Sequence, residues 1–154
     1  MMKSSAERRL FQMKIKEVMT KHTVTVGQDE PVAAAARLLK RDNIGAVPVC
    51  DESGHLQGIL TDRDITLRCV AAGTDPARTP IRDIMSTGIY TVSPTDSTET
   101  AAALMGKAQV RRLPVCENGK VVGMLSLGDL ACNCGCDMEA AAALTDISSG
   151  VRRR

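Results

Sequence analysis

Aromatic residues are almost missing from this chain of 154 residues, which holds one Phe, one Tyr and no Trp. Phe11 and Tyr90 cannot build the stacking platform that single-stranded nucleic acids use, so that mode of binding is excluded. Ala, Val, Leu, Ile and Met are left to form the core. Charge of one sign is also scarce. The formal net charge of +2 is too small to mark a nucleic-acid partner, and none is expected. No apolar run approaches the ~20 residues of a membrane-spanning helix, so no membrane partner is expected either. The chain is polar and charged through Arg9, without the apolar segment of a secretion signal, and a cytoplasmic location is the expectation. Histidine is limited to His22 and His55, and no nucleophile stands with a base. Enzyme activity is not expected.

What the chain does have is a repeat. Glu17-Val18-Met19-Thr20 recurs as Asp83-Ile84-Met85-Ser86, an offset of 66, which also carries Val26 onto Val92, Leu38 onto Leu104, Pro48 onto Pro114 and Cys50 onto Cys116. Past the hairpin the offset becomes 65, and Thr61-x-x-Asp64 falls on Ser126-x-x-Asp129. One residue lost in a turn is what a duplicated unit tolerates, and self-similarity at this scale fixes the fold ahead of any local signal. Each copy reads β-α-β-β-α. In the first, a β-branched run (Thr23–Val26) precedes a helix from Glu30-Pro31 to Lys40. A strand (Ala46–Cys50), a return strand (His55–Leu60) and a helix opening on Thr61-x-x-Asp64 follow, the last running to about Ala72.

The expected fold class is α+β: two such repeats packed about a pseudo-twofold axis with two related clefts between them, plus a C-terminal helix. The expected divisions are a lead-in (1–13), a first repeat (14–73), a linker (74–80), a second repeat (81–133), and a tail (134–154). The tail holds a Cys-containing turn, an Ala-rich helix and a basic end.

The stretch from Val110 to Asp129 carries the chemistry. A helix start presents free backbone N–H groups and partial positive charge, a ready place for phosphate. Arg111 and Arg112 lead into the strand before it, where the first repeat has Gly45 and Ala46. The first copy therefore lacks this phosphate grip, unless Arg63 or an arginine from across the interface replaces it. A plainer reading stands beside this one. Ser/Thr-x-x-Asp is close to a capping box, which many helices use only to begin. Arg111 and Arg112 also alternate in direction on a strand, so one can face a site while the other faces solvent or a subunit partner.

Cys132-x-Cys134-x-Cys136 is a weak metal candidate, because structural zinc wants four ligands in separated pairs. Cys50 matches Cys116 and Cys69 matches Cys134 across the repeat, the behaviour of small apolar packing residues.

The motifs Gly45-Ala46-Val47-Pro48-Val49 with Gly58-Ile59-Leu60-Thr61-Asp62-Arg63-Asp64, and Val110-Arg111-Arg112-Leu113-Pro114-Val115 with Gly123-Met124-Leu125-Ser126-Leu127-Gly128-Asp129, give the chain a family resemblance. It resembles the cystathionine-β-synthase (CBS) domain pair, or Bateman module, over about residues 14–133. In arrangement it is similar to the small stand-alone bacterial members. The resemblance implies a regulatory module that binds an adenosyl nucleotide in a cleft between repeats and signals by conformational change. It assigns Asp129 to the ribose hydroxyls, with Ser126, Arg111 and Arg112 on phosphate. Asp64 and Thr61 take the matching roles in the other cleft. Met124 or Ile59 would lie against adenine, with Ile89 a further candidate. No cofactor is required; AMP, ADP, ATP or S-adenosylmethionine is the implied regulatory ligand. A homodimer and an unidentified regulated protein are the implied partners. The alternative is a structural or interaction protein with vestigial clefts, or a metal- or redox-responsive one working through the cysteine tail.

Overall fold

The computed structural model describes residues 13–133 and 137–152. Its strands are β1 (Thr20–Lys21), β2 (Ala46–Cys50), β3 (Leu56–Thr61), β4 (Arg112–Glu117) and β5 (Lys120–Ser126). Its α-helices are α1 (Val32–Asp42), α2 (Asp62–Ile65), α3 (Thr98–Ala108), α4 (Leu127–Cys132) and α5 (Asp137–Arg152). A π-turn, Thr66–Val70, continues α2, and 3-10 turns span Ile15–Glu17 and Ile81–Asp83. The α+β class and the C-terminal helix are as the sequence implies.

The described residues form two compact units. Unit 1 takes the segment ending at His22, Tyr90–Glu117, and the chain from Val122 onward; unit 2 takes Thr23–Ile89 and Asn118–Val121. These limits cut across the repeats. The segment opening the first repeat packs with the second, and the segment opening the second packs with the first. The mainchain bonds repeat residue for residue. Ile15 and Lys16 donate to the carbonyls of Asp96 and Pro94, while Ile81 and Arg82 donate to those of Glu30 and Gln28.

Each exchanged segment ends on a glycine. In unit 1, Thr20 pairs antiparallel with Met124 and Lys21 with Gly123, so β1 becomes the outer strand of a sheet ordered β1-β5-β4. In unit 2, Ser86 and Ile59 exchange both backbone bonds, at 3.0 and 2.9 Å, beside the β2-β3 hairpin. A Cβ on Gly123 would stand 2.7 Å from Thr20 O and 2.9 Å from Met19 Sδ. A Cβ on Gly58 would stand 2.9 Å from Ser86 O and 2.7 Å from Met85 Sδ. No side chain fits at either place.

The cores are copies. Val26, Ala35, Leu39, Val47, Val49 and Leu60 pack with Ile81 and Ile84 in unit 2. Their equivalents Val92, Ala101, Met105, Leu113, Val115 and Leu125 pack with Ile15 and Val18 in unit 1.

The β-branched run Thr23–Val26 does not form the first strand that its composition suggests. Only Val26 pairs, in one parallel bridge to Val49: it donates to Pro48 O at 3.1 Å and accepts from Cys50 N at 2.9 Å. The next rung would need an N–H from Pro48, which has none. Val92 and Pro114 repeat the arrangement.

Helix α5 gives unit 1 a layer that the repeat does not predict. Ala140, Ala143 and Ile147 are buried, and α5 rests on α3 and α4. Gly106 admits Asp146 so closely that a Cβ would meet its Oδ2 at 2.8 Å, and Gln109 Nε2 donates to Asp146 O at 2.8 Å. This is why α3 has Gly106 where α1 carries Lys40.

Gly58→Ala and Gly123→Ala should each lower unfolding free energy by about 1–3 kcal/mol, because the added methyl meets a backbone carbonyl that cannot give way as the neighbouring methionine can. Urea unfolding checks this; a loss below about 0.5 kcal/mol at both positions would contradict the packing account.

Candidate functional site

In unit 1 the capping box forms in full. Ser126 has extended backbone and its Oγ accepts from Asp129 N at 3.0 Å, while Asp129 Oδ2 accepts from Ser126 N at 2.8 Å. The box fixes both side chains without exhausting them. One carboxylate oxygen, Oδ1, and the serine hydroxyl proton remain for a ligand. Leu127 N–H donates to Arg111 O at 2.8 Å, so the start of α4 is tied to the backbone that leads into β4. This bond brings the two arginines and the box to one place. Both arginines are exposed, and neither guanidinium has a hydrogen bond or ion pair among the described residues. Met124, half-buried on β5, belongs to the same unit.

Unit 2 repeats the box. Thr61 Oγ1 accepts from Asp64 N at 3.1 Å, and Asp64 Oδ2 accepts from Thr61 N at 3.0 Å. Asp62 N–H donates to Gly45 O, as Leu127 does to Arg111 O. Ile59 is buried and its backbone is engaged by Ser86, so it offers a ligand little surface; Ile89 is half-buried in the same unit.

One expectation needs correcting. The helix starts are not banks of free amides. In unit 1 the amides of Leu127 and Asp129 are engaged. In unit 2 the first three are engaged, since Arg63 N donates to Asp62 Oδ1 at 2.8 Å. The α-helix behind the box in unit 1 is also short, six residues, so little dipole accumulates there. Phosphate attraction therefore falls to guanidinium groups.

The cation nearest the box in unit 2 is one the sequence reading missed. Arg68 Nη1 lies 3.7 Å from Asp64 Oδ1 and donates to Ile84 O (3.0 Å), Met85 O (3.4 Å) and Ser86 Oγ (3.3 Å). It pins the exchanged segment to the π-turn. The i,i+4 spacing from Asp64 was the available signal. Arg63, the substitute considered from sequence, is exposed and has no side-chain partner among the described residues. At the position equivalent to Arg68, the second repeat has Asn133, which donates to Asp129 O in its own helix.

Other features absorb less. A cavity of about 750 Å³ in unit 2 is lined by Thr25–Pro31 and Cys50–Glu52 and includes none of the predicted site residues. Three of its carboxylates are engaged: Asp29 with Arg82, Glu30 with Gly27 N, and Asp51 with the amides of Ser53 and His55. Cys50, Cys69, Cys116 and Cys132 are not joined in disulfides. Burial pushes the Cys116 thiol above its ordinary range, which keeps it protonated. Among the described residues no three His, Cys, Asp or Glu gather to hold a metal; Cys134 and Cys136 lie outside them. No helix among those residues is long and apolar enough to cross a membrane.

Known proteins share the repeat and the fold. The CBS domain model matches residues 15–70 and 81–132. The CBS domain-containing protein YhcV of Bacillus subtilis is 44% identical over 134 residues, covering 87% of this chain and 94% of its own length. The crystal structure of Hypoxic Response Protein I, with two coordinated zinc ions, superposes with a TM-score of 0.72 at 34% identity, covering 77% of this chain and 97% of that one. The CBS domain pair of protein MJ0100, in complex with 5'-methylthioadenosine and S-adenosyl-L-methionine, gives a TM-score of 0.71 at 27% identity, covering 77% and 93%. Two matched repeats, a capping box closing each hairpin and a shared core pattern lead to one conclusion: the chain belongs to the CBS domain family and carries a pair of these domains.

Proposed function

We propose that this CBS pair is a regulatory sensor that binds an adenosyl nucleotide and passes the binding event to another protein. The observation that carries the reading is the Arg111 O to Leu127 N bond, which sets two unpartnered arginines beside the Ser126–Asp129 box. In this reading Asp129 Oδ1 accepts the ribose diol, and Arg111 and Arg112, helped by the Ser126 hydroxyl, hold phosphate. Met124 lies against adenine. Asp64 and Thr61 serve a second, unequal site, with Ile59 and Ile89 beside it. AMP, ADP, ATP and S-adenosylmethionine are the ligands to try. Support from relatives is the adenosyl complex of the MJ0100 pair. CBS pairs serve regulation more than catalysis, and no catalytic residue is proposed. Signalling requires that the ligand favour one arrangement of the protein over another.

The protein acts in this reading as a homodimer. Leu67 and Val70, 50% and 65% exposed, sit three residues apart on the π-turn and offer an apolar patch to a second copy.

Asp129→Asn separates ligand binding from folding. The asparagine oxygen keeps the bond from Ser126 N, while its NH2 replaces the acceptor left for ribose. In a thermal-shift and calorimetric series, one of the four ligands should stabilise the wild type by about 2.7 kcal/mol at a hundredfold excess over its Kd. Asp129→Asn should weaken that ligand about tenfold or more. No stabilisation by any of the four overturns the reading. Light scattering should show a dimer that Leu67→Glu with Val70→Glu converts to monomer; a wild-type monomer contradicts the dimer assignment.

A further inference from the structure

The two capping boxes are alike, but the groups around them are not, and the difference bears on ligand class. This step rests on the adenosyl reading given above. In unit 1, α4 opens on Leu127 and Gly128, and two unpartnered arginines stand at the start of β4, Arg111 just before it and Arg112 as its first residue. In unit 2 the equivalent positions are Asp62, Arg63, Gly45 and Ala46. The paired arginines of unit 1 are absent there, the leading amides are engaged, and the one unpartnered guanidinium at this helix start among the described residues, Arg63, stands next to the exposed carboxylate of Asp62. The three leading amides donate to Gly45 O, Asp62 Oδ1 and Thr61 Oγ1. Asp62 adds an exposed carboxylate at the mouth of the helix. The Arg68 charge faces Asp64, and its Nη1 serves three acceptors on the 84–86 segment. Together Asp64 and Arg68 carry no net charge.

We propose that the first-repeat site in unit 2 takes an uncharged adenosyl group, a nucleoside or its 5'-substituted neutral relative, whereas the arginine-bearing site in unit 1 takes the 5'-phosphorylated form. Arg68 acts there as a positioning residue. It holds Asp64 Oδ1 toward the ribose hydroxyls by opposing its charge, and it anchors the backbone of Ile84 and Met85. At the mouth of the unit 2 helix Asp62 offsets Arg63, so no net positive charge rewards a phosphate. The two sites then report different things: one the phosphorylated nucleotide, the other the free nucleoside.

Isothermal titration of the full chain with AMP and with adenosine tests this. Asp64→Asn and Asp129→Asn, each of which keeps its capping bond, assign the sites. The site lost in Asp129→Asn should prefer AMP by about tenfold or more, the effect of a charge-assisted contact. Arg111→Gln with Arg112→Gln should abolish that preference. The site lost in Asp64→Asn should bind adenosine at least as tightly as AMP. Arg68→Gln, which retains a donor for Ile84 O, should weaken both ligands there by the same factor, and Arg68→Lys should restore them. A tenfold AMP preference at the Asp64 site, removed by Arg63→Gln or Arg68→Gln, overturns the proposal. So does adenosine binding at the Asp129 site alone; both results leave the adenosyl reading intact. Absence of binding by AMP and adenosine at either site, with stabilisation by S-adenosylmethionine, also defeats the proposal alone. No stabilisation by any adenosyl compound defeats both.

Discussion

A carbonyl oxygen seated where a Cβ would stand is the contact on which both units depend. Thr20 O over Gly123 and Ser86 O over Gly58 let the exchanged segments lie flat against β5 and β3. From that approach follow the paired backbone bonds, the burial of Ile15 and Val18 in one core and of Ile81 and Ile84 in the other, and the position of Met19 and Met85. The motif glycine is therefore a packing requirement before it is a ligand motif. It fixes the strand whose end supplies Ser126 or Thr61, and the capping box then fixes the carboxylate.

The same economy of donors shapes the sites. A capping box engages one oxygen of its carboxylate and leaves the other, so a helix start can be stable and still bind. What surrounds the box decides what it binds. Leu127 and Asp62, Arg111 and Gly45, Asn133 and Arg68 are repeat equivalents of different charge. Duplication kept the frame and altered the electrostatics around it.

Much of this was legible in the residues. The repeat offset, the hairpins and the helix starts read directly, because period-2 and capping patterns are local. Arg111 and Arg112 stood out as charge where the other copy has none. The exchange of leading segments was not legible. Ile-x-x-x-Met-Thr and Ile-x-x-x-Met-Ser look like ordinary openings of their own repeats, and nothing local says which core buries Ile15. The missing first strand was hidden by propensity: Thr23–Val26 is β-branched, but the lost rung is a property of Pro48 across the gap. Arg68 was hidden in a helix read only from its Thr61-x-x-Asp64 start, and its partners at residues 84–86 come from the exchanged segment.

That exchange also sets an order of events at synthesis. The main body of unit 2 is one continuous stretch, Thr23–Ile89, and can close as soon as Ile84 and Met85 have left the ribosome. Unit 1 cannot. Its opening piece, Ile15 to Thr20, emerges first and must wait, with its apolar side uncovered, until β5 arrives about a hundred residues later. Ile15 and Val18 are thus made before the main body of unit 2 and reach their own core after it.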